Sequence, residues 1–186
     1  MSDLSKWTIA ILATTGFEDT EVSRAKHAVE QAGGRVLIVA PQDSIITGKR
    51  GTAFTPDMIT ADADAASFGG LILPGGVSNA DQLRLDEHAV ELVRGIATAG
   101  KPIAAICHGA WILTDAAVVT GRTLTSSPTL RTDLVNAGAT WVDEEVCVDD
   151  GSDVGEDAAT SGLLITSRTK ADVDAFNAAI VGNFGR

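Results

Sequence analysis

The sequence predicts an α/β fold, a mostly parallel sheet covered by helices on both faces. Three observations predict it. Short apolar runs of strand length recur along the chain, among them KWTIAILA (6–13), RVLIVA (35–40), GLIL (70–73) and IAAI (103–106). Segments with apolar residues at helical spacing separate them, and strand–helix–strand in that rhythm means parallel strands joined by crossover helices. At 186 residues the chain fits one compact domain with a full core, so residues 1–186 are taken as a single unit.

The elements follow in order. After the first strand, Val22, Ala25, Val29 and Ala32 mark a helix that Gly33-Gly34 stops. The strand 35–40 comes next, and GLIL ends at Pro74-Gly75-Gly76. Asp86 caps a helix carrying Val90, Val93 and Ile96 toward Gly100, and the strand 103–106 runs into Cys107-His108-Gly109. Residues 122–126 and 141–149 read as strands around a helix over 129–137; a last strand spans 163–167 and a closing helix 172–184. The acidic, glycine-rich DDGSDVGEDAATSG reads as a loop or loose hairpin, because too little chain follows it for a second core. Tyrosine is absent and aromatic residues make up 4%, which implies an aliphatic, alanine-rich core.

The formal net charge of −11 argues against nucleic acid and anionic membranes as partners and suits a soluble protein. No basic, apolar leader opens the chain, and the first apolar run is too short to span a membrane. Two cysteines, Cys107 and Cys147, without a secretion signal point to a reducing cytoplasm and free thiols. With no CxxC or histidine-rich cluster, neither a metal nor another cofactor is expected.

Function concentrates at AAICHGAWIL. In open α/β sheets ligands gather at the carboxyl ends of strands, where Cys107 falls. AICHG resembles a nucleophile elbow, with Ala105 and Gly109 as the small residues a sharp strand-to-helix turn needs. The N–H groups and dipole of a following helix favour thiolate. Cys147, in EEVCVDD, reads as an ordinary strand residue, and His27 and His88 as helix-surface residues. No histidine follows His108, which excludes the usual hydrolase order and leaves His108 as the candidate base. Glu18, after the first strand, is placed to meet the sulfur; if protonated it donates a hydrogen bond to thiolate, whereas as a plain helix-start acid it only suits the dipole. Gly75 and Gly76 let the backbone turn N–H groups toward a reacting oxygen.

GFEDTE, LILPGG, DQLR, AAICHGAWIL, GRTLTSSPTLRTDLVNAGATWVDEE and ITSR stand in an order and spacing that resembles the PfpI-like branch of the DJ-1/PfpI superfamily over most of the chain. The resemblance implies a flavodoxin-like three-layer sandwich with Cys107 as the reactive nucleophile. It implies that Glu18 is the buried acid bonded to the cysteine and His108 the adjacent histidine, with the N–H groups of Gly76 and His108 as oxyanion donors. It also implies a homodimer or larger homo-oligomer in which an acid after Pro-Gly-Gly reaches a neighbour's histidine; Asp81 is the nearest match, as an aspartate in place of glutamate and one residue further along. Other departures are Ala110 where proline is common, a longer acidic loop before ITSR, and TKADVDAF after it. The family's activities imply three alternatives: a stress-response enzyme acting on small reactive carbonyls, glyoxalase III- or deglycase-like; a cysteine peptidase acting on peptides; or a redox sensor or chaperone using an oxidisable Cys107.

Overall fold

The structure is a computed structural model that describes residues 3–152 and 162–185. Its elements are β1 (Thr8–Leu12), α1 (Asp19–Gln31), β2 (Arg35–Ala40), β3 (Ile46–Thr47), β4 (Ala53–Phe54), β5 (Met58–Ile59), β6 (Gly70–Leu73), α2 (Val77–Leu83), α3 (Glu87–Thr98), β7 (Ile103–Ile106), α4 (Ile112–Asp115), β8 (Thr123–Leu124), α5 (Arg131–Asn136), β9 (Thr140–Trp141), β10 (Val146–Asp149), β11 (Leu164–Ser167) and α6 (Val173–Asn183). Among the described residues the main sheet has seven strands in the order β10-β11-β7-β6-β1-β2-β5. All its pairs are parallel except β10–β11. The chain thus forms the mostly parallel sheet between helical layers that its pattern predicts, and the flavodoxin-like three-layer α/β sandwich that the resemblance implies.

Alternation along the strands builds two cores. Ile9, Ile11, Ile72, Ala104, Ile106 and Ile165 face one layer, against Val22 and Val29 of α1 and Phe176 and Ile180 of α6. Ala10, Leu12, Leu71, Leu73, Ile103 and Ala105 face the other, against Leu92, Val93 and Ile96 of α3 and Leu113 of α4. The strands are buried on both faces, which is why they read as unbroken apolar runs. The core is mainly aliphatic, but Phe17, Phe68, Phe176 and Phe184 are among its fully buried side chains.

Two expectations change. The predicted strand 141–149 divides, because Asp143-Glu144-Glu145 interrupts it: β9 pairs with β8 in a separate two-stranded unit, and β10 joins the main sheet. The expected strand 122–126 shortens to β8. Most of the acidic loop, residues 153–161, lies outside the described residues.

Topology positions the site. The chain leaves β1 for β2 on one side and β6 lies on the other, so the strand order reverses between β1 and β6. The carboxyl ends of β1, β6 and β7 meet there, the place where such sheets bind ligands.

Candidate active site

Cys107 begins where β7 ends. Its φ is 60°, a left-handed backbone conformation rare for a residue with a side chain, while Ile106 before it is fully extended. This is the strained elbow that the sequence suggests. Gly109 is required because a Cβ there would stand 2.1 Å from the Leu73 carbonyl oxygen. The tight approach seats the 3₁₀ turn Cys107–Trp111 against the end of β6. The helix expected after the elbow is a 3₁₀ turn that leads into the four-residue α4, which Ala117, at φ 58°, ends. The help available to a thiolate is therefore local: the His108 N–H and the positive charge of Lys49.

Burial outweighs that help. Burial first, and then the charge of Glu21, push the Cys107 thiol up to about 12. This corrects the expectation of a cysteine with a lowered pKa. Glu21 is itself only 1% exposed, and burial pushes its carboxyl up to about 8. The carboxyl is thus protonated at neutral pH, which removes its repulsion of charge on the sulfur.

Glu21, not Glu18, is the acid beneath the cysteine. Glu21 Oε2 accepts the Gly75 N–H at 2.6 Å, and Oε1 is buried without a partner among the described residues. A Cβ on Gly75 would stand 2.7 Å from Glu21 Oε2 and 2.8 Å from Cys107 Cβ, so the acid and the cysteine crowd the same point. Glu18 is the residue before α1 and carries extended dihedrals, whereas Glu21 sits in the first helical turn. The Glu18 carboxylate instead lies between Lys170 Nζ at 3.5 Å and Lys49 Nζ at 3.9 Å. Asp19 accepts the backbone N–H groups of Arg50 and Thr52, both at 2.9 Å. Three neighbouring acids thus have three separate surroundings, and a helix-start pattern alone does not distinguish them.

The bond between Gly75 and Glu21 also removes Gly75 from the expected oxyanion donors. Gly76, at φ 96°, turns the chain into α2, and its N–H has no acceptor among the described residues.

His108 Nδ1 lies 3.3 Å from Cys107 Sγ, and Nε2 lies 3.1 Å from Thr129 Oγ1. Thr129 Oγ1 is in turn 3.0 Å from Ser127 Oγ, and Ser127 N–H donates to the Cys107 carbonyl at 3.1 Å. With Cys107 as a thiol, Nδ1 is the acceptor that faces the sulfur, so Nε2–H donates to the Thr129 hydroxyl and Thr129 donates on to Ser127; a proton taken up at Nδ1 leaves these bonds in place. Burial, assisted by the charge of Lys49, lowers the His108 pKa, which keeps the imidazole neutral and able to accept a proton. The segment SSPTL gives no sign of this contact in sequence, because it arrives from a distant loop.

Asp81 is exposed on α2 and makes no hydrogen bond or ion pair with His108 among the described residues. Within one chain, Thr129 holds the outer nitrogen instead. His27 and His88 are exposed on helices, and Cys147 is buried on β10 with its thiol pushed up to about 11 by burial and neighbouring acids. Both cysteines are free. Among the described residues no group of three or more histidine, cysteine, aspartate or glutamate side chains forms a candidate metal site, and no helix is long and apolar enough to cross a membrane.

The chain is 40% identical over 141 residues to "Deglycase PfpI" of Pyrococcus furiosus, a match spanning 76% of this chain and 84% of that protein. It is 37% identical over 171 residues to "General stress protein 18" of Bacillus subtilis, covering 91% and 92% of the two chains. A two-domain protein from Anabaena variabilis, with DJ-1/ThiJ/PfpI-like and ferritin-like domains, superposes with a TM-score of 0.86 at 31% identity. That match covers 96% of this chain and 48% of the two-domain chain. The family model for DJ-1/PfpI matches residues 7–183, and with the elbow, its acid and its histidine in place, the chain belongs to the DJ-1/PfpI family.

Proposed function

We propose that this protein is a cysteine-dependent stress-response enzyme that acts on small reactive carbonyls, in the manner of a glyoxalase III or deglycase. The observation that carries the reading is the grouping of the strained Cys107, the neutral His108 at 3.3 Å from its sulfur, and the buried Glu21 with an unpartnered oxygen. The names of the relatives, a deglycase and a general stress protein, support the same reading.

The chemistry follows from the protonation states. His108 Nδ1 takes the thiol proton, and the sulfur attacks the aldehyde carbon of a 2-oxoaldehyde. An S–C bond forms and the carbonyl electron pair moves to oxygen; the N–H groups of Gly76 and His108 are the donors this reading assigns to the developing charge. The alkoxide takes the proton back from His108, giving a hemithioacetal. Neutral His108 then removes the hydrogen from that carbon, and the hydroxyl proton passes to the neighbouring carbonyl oxygen to give an enediol-level intermediate. His108 returns its proton to the adjacent carbon, which converts the hemithioacetal to a thioester of a 2-hydroxy acid. Water cleaves the thioester, releasing the hydroxy acid and restoring the thiol. Protonated Glu21 donates to the charged sulfur when it leaves. For methylglyoxal the product is lactate, with no external oxidant or reductant.

The peptidase alternative needs a carboxylate on the outer nitrogen of His108. That nitrogen faces the Thr129 hydroxyl, so the carbonyl reading is preferred. The test is lactate formation from methylglyoxal by the full chain beside Cys107→Ser and His108→Gln. Turnover should be lost with Cys107→Ser and fall at least about 100-fold with His108→Gln. Parent-like turnover by Cys107→Ser, or peptide cleavage without lactate, overturns the reading.

A further inference from the structure

We propose that Lys49 and Lys170 form an anion-recognising rim on the Cys107 site, and that the carbonyl substrates it selects carry a carboxylate or a phosphate. The proposal deepens the carbonyl reading and rests on it for the chemistry at sulfur.

The chain has a formal net charge of −11, so its general field repels anions. Against that background two lysines flank one carboxylate. Lys170 Nζ lies 3.5 Å from Glu18 Oε1, and Lys49 Nζ lies 3.9 Å from Glu18 Oε2. One negative charge between two positive ones leaves a surplus cation. Neither ammonium is sequestered, since the lysine side chains are 46% and 47% exposed. Glu21 does not cancel the surplus at neutral pH, because burial keeps it protonated. Asp19 keeps its charge: burial opposes it, but the hydrogen bonds from the Thr52 and Arg50 N–H groups outweigh burial, and the exposed Arg50 side chain on the same turn offsets that charge.

The position of the rim is built rather than incidental. Lys49 lies in the turn between β3 and β4, and the segment leading into α1 pins that turn. Gly16 N–H donates to the Thr47 carbonyl at 2.8 Å, and Lys49 N–H to the Phe17 carbonyl at 3.0 Å. The two Asp19 contacts close its far side, and a Cβ on Gly48 would stand 2.6 Å from an Asp19 oxygen. Lys170 opens a 3₁₀ turn whose preceding residue, Thr169, accepts the Ala171 N–H. The field of Lys49 reaches Glu21, Cys107 and His108 alike, and that of Lys170 reaches Glu21. Glu18 N–H donates to the Gly75 carbonyl at 3.1 Å, and a Cβ on Gly75 would stand 2.8 Å from Cys107 Cβ, so the acid that spaces the two cations belongs to the same strand-end cluster as the thiol. A 2-oxoaldehyde that also carries a carboxylate or phosphate would place its charge on the lysines and its aldehyde at Sγ. Attack would then follow the atom balance already given.

The experiment compares alkylation of Cys107 by iodoacetate and by iodoacetamide, read by mass spectrometry on the intact chain. The reagents share a leaving group and differ in charge. Both form an S–C bond and release iodide, so the ratio of their rates cancels changes in thiol reactivity. In Lys49→Gln/Lys170→Gln the iodoacetate-to-iodoacetamide ratio should fall about 3–10-fold at low ionic strength, and the difference from the parent should shrink as salt rises. Lys6→Gln/Lys26→Gln removes the same charge from exposed or outer positions, where Lys26 pairs with Glu30, and should leave the ratio unchanged. Acetate and inorganic phosphate, added separately at matched ionic strength, tell which anionic group the rim prefers by the stronger competition against iodoacetate. An unchanged ratio in the double variant, an equal fall in the control, or no competition by either anion overturns the proposal. If the double variant fails to fold, Lys170→Gln alone gives the same test. Alkylation requires no carbonyl turnover, so failure of the rim and failure of the carbonyl reading are separate results.

Discussion

Glu21 Oε2 accepts the Gly75 N–H at 2.6 Å, while its other oxygen has no partner among the described residues. The bond fixes the carboxyl beside Cys107 and leaves one oxygen able to carry a proton. Removing the charge without the shape should therefore change the sulfur. Glu21→Gln should alkylate with iodoacetamide several-fold faster than the parent at pH 9, where ionised Glu21 opposes the thiolate, because the parent carboxyl titrates at about 8. At pH 6.5 the two should nearly agree, since Glu21 is neutral in both. Equal rates at both pH values would separate Glu21 from the cysteine.

The same carboxyl makes folding pH-dependent. Its pKa is raised from 4.5 to about 8, so the folded state binds the proton more tightly than the unfolded chain. Its stabilisation is complete below about 4.5 and is lost as pH rises through about 8, a span worth up to a few kcal/mol. Urea unfolding at pH 5.5 and 8 should show parent stability falling across this interval and the fall reduced in Glu21→Gln. The same fall in the variant would assign the pH dependence to other groups.

How the residues are arranged explains what the sequence discloses. β1, β6 and β7 are buried on both faces, so each appears as an apolar run, and the elbow announces itself where such a run meets Cys-His-Gly. The identity of the buried acid is not visible in the same way. Glu18, Asp19 and Glu21 all suit a helix start, and their fates depend on α1 beginning at Asp19. Thr129 is hidden for another reason: it meets His108 across 21 positions, through tertiary packing alone. The short strands β3, β4 and β5 escape periodicity because two residues define no period. Yet β3 and β4 carry Lys49, which acts on every reactive group of the site.

Close approach at the elbow gives a packing prediction. Gly109→Ala places a methyl 2.1 Å from the Leu73 carbonyl oxygen, and a Cβ there also meets the Pro74 oxygen at 2.8 Å. Both obstacles are backbone, so strands and turn must separate. The variant should lose about 2–4 kcal/mol in urea unfolding, more than a surface substitution costs. Ala80→Gly, on the neighbouring α2, supplies the comparison of a buried methyl removed rather than added. A Gly109→Ala variant as stable as the parent would mean that the turn is looser than this geometry allows.

The last prediction separates two ways of holding His108. Within the chain its outer nitrogen faces Thr129 Oγ1 at 3.1 Å, and Ser127 Oγ continues the line at 3.0 Å. If this hydroxyl pair sets the imidazole tautomer, Thr129→Val should lower kcat for methylglyoxal about 5–20-fold with little change in KM, the loss of one hydrogen bond felt at the base. Thr129→Ser restores the hydroxyl and should restore the rate, which a mere packing role would not require. Asp81→Ala should leave kcat near the parent value, because Asp81 is exposed on α2 and Thr129 already meets the nitrogen. If instead Asp81 reaches His108 from a second copy of the chain, Asp81→Ala is the variant that loses activity and Thr129→Val the silent one. Sedimentation of both variants over a dilution series then links the loss to assembly. A silent Thr129→Val with an inactive Asp81→Ala would transfer the orientation of His108 from the hydroxyl relay to a shared carboxylate and revive the peptidase reading.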